Sequence, residues 1–272
     1  MQKSIFITGA SSGLGKATAK FFQAKGWRVF ATMRNPENET ELTHLNNITV
    51  LKLDVTNPTQ IESTIQQVLL QHDIDVVLNN AGYGLVGVLE ALSDEQINRQ
   101  LNTNLLGVIR VTQAFIPFFR QSKKGMFINI TSMFGLLGYP TCSIYSATKF
   151  AIDGFSESLA YELAKFDIRV KIIAPGGIQT DFAGRSLDGG THPAYQTLVE
   201  KVSEGYSEER ISQFSTATQI ASVIYEAATD QKSQLRYLAG ADANQLYQER
   251  LIISPEKQAQ QLLQTFKLEL QS

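Results

Sequence analysis

The sequence is poor in the residue types that several common functions require. It has one cysteine, Cys142, so an internal disulfide is excluded and a reducing compartment is expected. Its three histidines, His44, His72 and His192, have no carboxylate or cysteine at ligand spacing, so a metal site has no support. Basic residues are not in excess: the formal net charge is −2, and no Lys/Arg cluster is interleaved with aromatics, so no nucleic-acid partner is expected. No apolar run approaches the roughly 18 residues that a bilayer span needs. After Met1, Gln2 and Lys3 the chain leads straight into a β-prone run, without a cleavable-signal pattern. No membrane partner and a cytoplasmic location are therefore expected. Linkers, low-complexity tracts and internal repeats are also missing.

What is present is a 272-residue chain, 43% hydrophobic, long enough for one large core. Strand-like and helical stretches alternate six times before a seventh short strand at about 235–238. This pattern predicts an α/β fold: one Rossmann-like, doubly wound domain over 1–272, with about seven mostly parallel strands and helices on both faces. The strand-like runs end in polar, glycine-bearing turns. Run 3–7 leads into Thr8-Gly9-Ala10-Ser11-Ser12-Gly13-Leu14-Gly15 and then a helical stretch at 16–25. Asp54 closes run 50–53, Asn79-Asn80-Ala81-Gly82 follows 75–78, and Pro175-Gly176-Gly177-Ile178-Gln179-Thr180 follows 170–174. One such turn is an ordinary strand-to-helix connection. Several on one sheet edge point to a ligand site, and the strand, glycine turn and helix of the first suit a dinucleotide phosphate. Its Gly-x-x-x-Gly-x-Gly spacing differs from the commoner Gly-x-Gly-x-x-Gly.

Ser132, Tyr145, Lys149 and Asn104 carry the proposed chemistry. Tyr145 and Lys149 stand four apart in a stretch of helical spacing, so they share one helix face. An ammonium about 5 Å from a phenol, at an effective dielectric near 20, favours the phenolate by roughly two pKa units. The expectation is thus a tyrosine brought toward working pH as a general acid/base. Such a pair alone would read as a solvated lysine beside a half-buried tyrosine. Ser132, at the end of the apolar run 126–130, supplies the context of a strand terminus. Asn104 lies within a helical stretch at 101–112, where a solvent-facing Asn is the plain alternative.

Taken together, turn 8–15, Asp54, Asn79 to Gly82, Asn104, Ser132, Tyr145 with Lys149, and Pro175-Gly176 with Thr180 resemble the short-chain dehydrogenases/reductases of the compact single-domain kind. These motifs span about two thirds of the chain in the family's order; the region after about 181 carries no diagnostic motif. The resemblance implies that Tyr145 exchanges a proton with a carbonyl or alcohol oxygen and that Ser132 hydrogen-bonds the same oxygen. It implies that Lys149 binds the nicotinamide ribose and biases Tyr145 toward phenolate, and that Asn104 holds a water in a proton relay. Gly9, Ser11, Ser12, Gly13, Leu14, Gly15, Arg34, Asp54, Val55, Asn80, Ala81, Gly82, Pro175, Gly176, Ile178 and Thr180 would bind the nucleotide with Tyr145 and Lys149.

At the end of the second strand, 28–33, NAD-preferring relatives carry an acid; here Met33 stands there and Arg34 follows. A guanidinium suits a 2′-phosphate, so NADP(H) is the expected cofactor, with NAD(H) the permissive alternative. Tyr83, Leu85, Val86, Phe134, Leu136, Leu137 and Tyr139 are expected to wall a pocket for a small hydrophobic carbonyl or alcohol substrate. Segment 181–215 is read as a lid, with Phe182, Leu187, Tyr195 and Leu198 as apolar contacts and Gly184, Gly189 and Gly190 as hinges. A stripe of Ala151, Phe155, Leu159 and Leu163 serves either the core or a homodimer or homotetramer interface, and 256–270 reads as an amphipathic terminal helix. Cys142 reads as an apolar filler or a pocket residue. Two other functions stay open: a serine hydrolase using Ser11 in Gly9-Ala10-Ser11-Ser12-Gly13, with His192 its one late histidine, and a non-catalytic dinucleotide-binding regulatory protein.

Overall fold

Strands buried on both faces should be mainly apolar, and the computed structural model, which describes residues 2–180 and 187–268, shows this most clearly in its central strands. The seven strands of the main sheet are β1 (Ser4–Ile7), β2 (Arg28–Met33), β3 (Ile48–Lys52), β4 (Val76–Asn79), β5 (Gly125–Ile130), β6 (Ile168–Pro175) and β7 (Arg236–Ala239). All residues of β1 and β4 are buried. Every pairing is parallel, and the order is β7-β6-β5-β4-β1-β2-β3. The order reverses between β1 and β4, which opens a crevice beyond their carboxyl ends.

Side chains along β1 alternate between the two faces, as the twofold strand period demands. Ile5 and Ile7 join Phe22, Trp27, Ile220 and Ile224 on the side of α1 (Gly13–Ala24) and α8 (Ala217–Thr229). Phe6 joins Phe115, Phe119, Phe127, Leu159 and Leu163 on the side of α4 (Gly107–Ser122) and α5 (Ser143–Ala164), where α2 (Pro58–Leu69) also packs. Each such fully buried side chain contributes about 1.5–3 kcal/mol of transfer free energy. Leu159 and Leu163 therefore serve the core; the exposed aromatics of α5 are Phe150 and Tyr161.

The helical stretch expected at 101–112 is composite. The helix α3 (Asp94–Leu101), started by a capping box of Ser93 and Gln96, runs into a π turn at Asn102–Leu106 before α4 begins. The lid segment contains α6 (Gln196–Glu204) and α7 (Glu208–Ser212), and the chain ends in a hairpin of α9 (Ala241–Ile253) and α10 (Pro255–Thr265). The left-handed backbone of Ser254, at φ 78°, turns one into the other. Among the described residues no helix is long and apolar enough to cross a membrane, and no His/Cys/Asp/Glu group could hold a metal ion.

Candidate active site

The register of the parallel strands lines up their carboxyl ends, with Ile7 opposite Leu78, Asn79 opposite Asn129, Ile130 opposite Ile173 and Pro175 opposite Ala239. The turns that follow must then share one edge. Gly9 and Gly13 both take the left-handed conformation, at φ 69° and 53°. A Cβ on Gly9 would lie 2.7 Å from the Ala81 backbone, and one on Gly15 would collide with the Gly9 carbonyl and stand 2.5 Å from Asn80 Nδ2. Two turns are thus packed backbone to backbone. Asn80 Nδ2 donates to the carbonyls of Thr8 and Gly9, both at 3.0 Å, while the Thr8 hydroxyl accepts from the Asn80 and Ala81 N–H groups at 3.0 and 3.1 Å.

Ser12 precedes α1 in an extended conformation, and its side chain does not cap the helix. The first-turn N–H groups at Gly13, Leu14 and Gly15 thus keep the partial positive charge of a helix start, which suits a phosphate. Ser11 and Ser12 are exposed beside this turn, and Thr180 stands over it, its Cβ 3.8 Å from where a Gly13 Cβ would be. These residues fit a dinucleotide pyrophosphate: Gly9 and Gly15 let the two turns pack closely, and the helix start offers free N–H groups beside exposed Ser11 and Ser12. Further along the edge, Asp54 accepts from the Thr56 N–H and hydroxyl at 2.9 and 2.7 Å, and Val55 is buried against Gly107. Ile178 pairs with Ser215 at the edge's far end.

On the neighbouring strand, Ser132 follows β5 in extended backbone; its hydroxyl accepts from the Phe134 N–H at 3.2 Å and bears on the Tyr145 phenol. Three polar links stitch α5 to β5: Lys149 Nζ donates to the Ile130 carbonyl at 3.0 Å, Thr131 Oγ1 donates to the Lys149 carbonyl at 2.8 Å, and Asn129 Nδ2 donates to Ser156 Oγ at 2.8 Å. They fix the axial register of the helix, and so the placement of Tyr145 against Ser132. Lys149 Nζ lies 5.6 Å from the Tyr145 ring centre on the same helix face. The expected electrostatic bias is overridden by the protein's own burial. Desolvation pushes the Tyr145 phenol up to about 12, with the Ser132 hydrogen bond opposing it, and pushes Lys149 down to about 8. Burial thus shifts both groups toward their neutral forms, with Lys149 still carrying its proton below about 8.

Asn104 is buried, not solvent-facing. Its Oδ1 accepts from the Tyr83 N–H at 3.1 Å and its Nδ2 donates to the Tyr83 carbonyl at 2.8 Å. Each polar atom of the side chain thus makes one hydrogen bond to Tyr83, which holds the loop after Gly82. Val86, Met133, Phe134, Leu137, Tyr139 and Cys142 cluster with Tyr145, whereas Leu85 and Leu136 are buried outside this cluster. Burial pushes the Cys142 thiol up to about 11, so it is an apolar filler. Leu246 of α9 and Leu262 of α10 complete the wall, and Phe266 meets the Tyr139 ring edge-on at 5.5 Å. The terminal helix read as merely amphipathic therefore belongs to the site, a role that its apolar spacing alone could not reveal.

Gly189 and Gly190 lie in close backbone packing. A Cβ at either would collide with the carbonyls of Val86 or Ala91, so these glycines permit close approach. Leu187–Asp188 pairs with Gly84–Leu85, and Asp188 takes a hydrogen bond from Gln96 at 2.8 Å and an ion pair from Arg99. Tyr195 is exposed and Leu198 half-buried; Phe182, Gly184 and the Leu187 side chain lie outside the described residues. Met33 is buried, while Arg34 is exposed and makes no ion pair among the described residues. Glu39, which the strand-end reading overlooked, folds back to Lys16 of α1 at 2.9 Å. His192 contacts Ala194 and Tyr195, His72 contacts Arg28, and His44 contacts Thr40; among the described residues none hydrogen-bonds Ser11, as a hydrolase triad would require.

Comparison with known proteins agrees with this geometry. The chain is 39% identical over 179 residues to a 3-ketodihydrosphingosine reductase of Bacteroides thetaiotaomicron, covering 65% of each chain. Its fold superposes with a TM-score of 0.84 on a short-chain dehydrogenase from Streptomyces avermitilis, at 32% identity over 95% of both chains. It superposes with a TM-score of 0.73 on ElxO with NADP bound, at 29% identity over 88% of this chain and 98% of that one. The short chain dehydrogenase pattern itself matches residues 3–189, and with the cradle, the Tyr145–Lys149 helix and the parallel sheet in place, the chain belongs to that family of oxidoreductases.

Proposed function

We propose that the protein interconverts a hydrophobic ketone or aldehyde and its alcohol, using NADP(H) in preference to NAD(H). The observation that carries this reading is the placement of Tyr145 and buried Lys149 on one helix face beside Ser132 at the sheet edge. The glycine cradle, the α1 start, Asn80 to Gly82 and the loop from Pro175 to Thr180 would hold the nucleotide, which when bound supplies or accepts the hydride. In the reductive direction the Tyr145 hydroxyl gives its proton to the substrate oxygen, and Ser132 holds that oxygen in line. A phenol near 12 is poised as a donor. Lys149, readily deprotonated at about 8, can pass a proton toward Tyr145 or take one back. Asn104 positions the Tyr83 loop that faces this chemistry.

Arg34, exposed at the end of β2, supports the preference for a 2′-phosphate. The wall of Val86, Met133, Phe134, Leu137, Leu246 and Leu262 supports a substrate with an apolar body. The name of the Bacteroides relative likewise specifies a keto substrate. The exposed Phe150 and Tyr161 of α5 support a homo-oligomer.

The test is NADPH consumption against a panel of apolar ketones and aldehydes, with the wild-type protein and Tyr145→Phe. Turnover that disappears with the tyrosine hydroxyl is expected. Tight NADPH binding with no turnover of any carbonyl would instead mark a regulatory dinucleotide-binding protein.

A further inference from the structure

The family pattern stops at residue 189, yet the nucleotide-side loop is held by an acid far beyond it. We infer that Asp242 is a positioning residue for the 175–180 loop, and that α9 links this loop to the apolar wall beside Tyr145; the inference rests on the dinucleotide-dependent reading above.

Asp242 lies in the first turn of α9, where an acid is favoured by the helix dipole alone. Its carboxylate is used otherwise. Asp242 Oδ2 accepts from the Gly177 N–H at 2.7 Å, beside a backbone bond from the Gly176 N–H to the Ala239 carbonyl at 2.9 Å. The backbone is shaped around this carboxylate. A Cβ on Gly176 would collide with Asp242 Oδ1, and one on Gly240 would stand 2.8 Å from it, with Gly240 in a glycine-only region at φ 109°. Two glycines thus make room for one acid, so the requirement for glycine at 176 comes from Asp242 as much as from any ligand.

What the carboxylate holds is short and directional. Phe214 packs against Gly177, Ile178–Gln179 pairs with Ser215–Thr216, and Thr180 reaches the Gly13 turn. Movement at Gly177 is therefore passed over three residues to the phosphate cradle. Four residues after Asp242, on the same face of α9, Leu246 packs in the cluster around Tyr145. One rigid helix touches the nucleotide loop with one side chain and the substrate wall with the next.

The experiment measures NADPH affinity by fluorescence titration, separately from kcat, substrate KM and melting temperature, in the full-length protein. Asp242→Ala is expected to weaken NADPH binding by about tenfold or more, the scale of losing one hydrogen bond to a charged group, and to raise substrate KM as well. Asp242→Asn, whose amide oxygen still accepts from Gly177, recovers most of the affinity. Leu246→Ala raises substrate KM and leaves NADPH affinity near wild type. Gly176→Ala is strongly harmful alone and far less so in the Asp242→Ala background, because its steric partner is gone. A lower melting temperature in Asp242→Ala with unchanged NADPH affinity, kcat and KM would overturn the inference, as would additive effects of Gly176→Ala and Asp242→Ala. Failure of the wild-type protein to bind NADPH or NADH would overturn the dinucleotide reading and this inference with it. Normal wild-type binding with an unmoved Asp242→Ala overturns the inference alone.

Discussion

Lys149 with Tyr145 and Lys171 with Tyr237 each set a buried lysine against a tyrosine, with the ammonium 5.6 and 4.9 Å from the phenol ring centre. They differ by one carboxylate. Lys171 Nζ donates to Asp230 Oδ1 at 2.6 Å and to Tyr237 Oη at 2.8 Å, and that phenol donates to Asp230 Oδ2 at 2.6 Å. Among the described residues Lys149 Nζ donates to one backbone carbonyl, and the Tyr145 phenol has the Ser132 hydroxyl beside it. Burial would raise the Asp230 carboxyl, but the hydrogen bonds from Lys171 and Tyr237 prevail and hold it at about 2. Burial and the Asp230 carboxylate push the Tyr237 phenol upward. Asp230 therefore stays ionised and Tyr237 protonated across the working pH range. Where the acid is missing, the same two residue types keep a proton that can move, with Lys149 near 8. An acid thus decides whether a lysine–tyrosine pair is closed into an ion-paired triad.

The widest separation of the two pairs is expected in turnover. Tyr145→Phe should lower kcat by about 10²–10⁴-fold, the usual span for a general acid/base, with circular dichroism and melting temperature unchanged. Tyr237→Phe should leave kcat intact, and a comparable loss there would erase the distinction. The reverse holds for stability. Lys171→Met strands the Asp230 carboxylate in the interior and should cost about 3–5 kcal/mol in denaturant unfolding, while kcat at permissive temperature stays as in wild type.

Titration of stability separates the pairs again, by a smaller amount. Asp230 is held at about 2, below its ordinary unfolded range, so the unfolded chain takes up the proton first as the medium is acidified. Its contribution is present above about pH 4 and is lost as pH falls toward 2, and Asp230→Asn should flatten that limb. Lys149 is lowered to about 8, so between about 8 and 10.5 the unfolded chain holds a proton that the folded one has released. Stability from this group rises with pH over that window, and Lys149→Met should remove the rise. Melting temperatures across pH check both. Arg34 extends the comparison to a cation with no acid among the described residues, and the shift there is the smallest. Arg34→Asp should move the ratio of kcat/KM values toward NADH by about tenfold, the worth of one charged contact.

The sheet edge was legible because each contributing turn has a local signature. Gly9 to Gly15, Asn80 to Gly82 and Pro175 to Thr180 each follow an apolar run, and strand order alone aligns them. The Tyr145–Lys149 spacing was legible for the same reason, since four residues on a helix define a face. Asn104 was half legible: its place in a helical stretch was clear, but the π turn that buries its amide against Tyr83 depends on packing. Gly189 and Gly190 read as hinges because a glycine's local freedom is visible in sequence, whereas the carbonyls of Val86 and Ala91 that demand it come from a distant segment. The Tyr145 phenol was misjudged in direction, because Coulomb attraction can be read from spacing and desolvation cannot.

The order of apolar runs and glycine turns determined by itself a parallel α/β sheet with a dinucleotide-type edge, because strand burial and turn conformation are local consequences of residue type. Only the tertiary structure decided which lysine–tyrosine pair is closed by an acid, that the terminal hairpin walls the site, and that Asp242 holds the loop after β6. Those depend on which segments meet, and contacts between residues 65 positions apart, such as Gly177 and Asp242, leave no periodic trace in the chain.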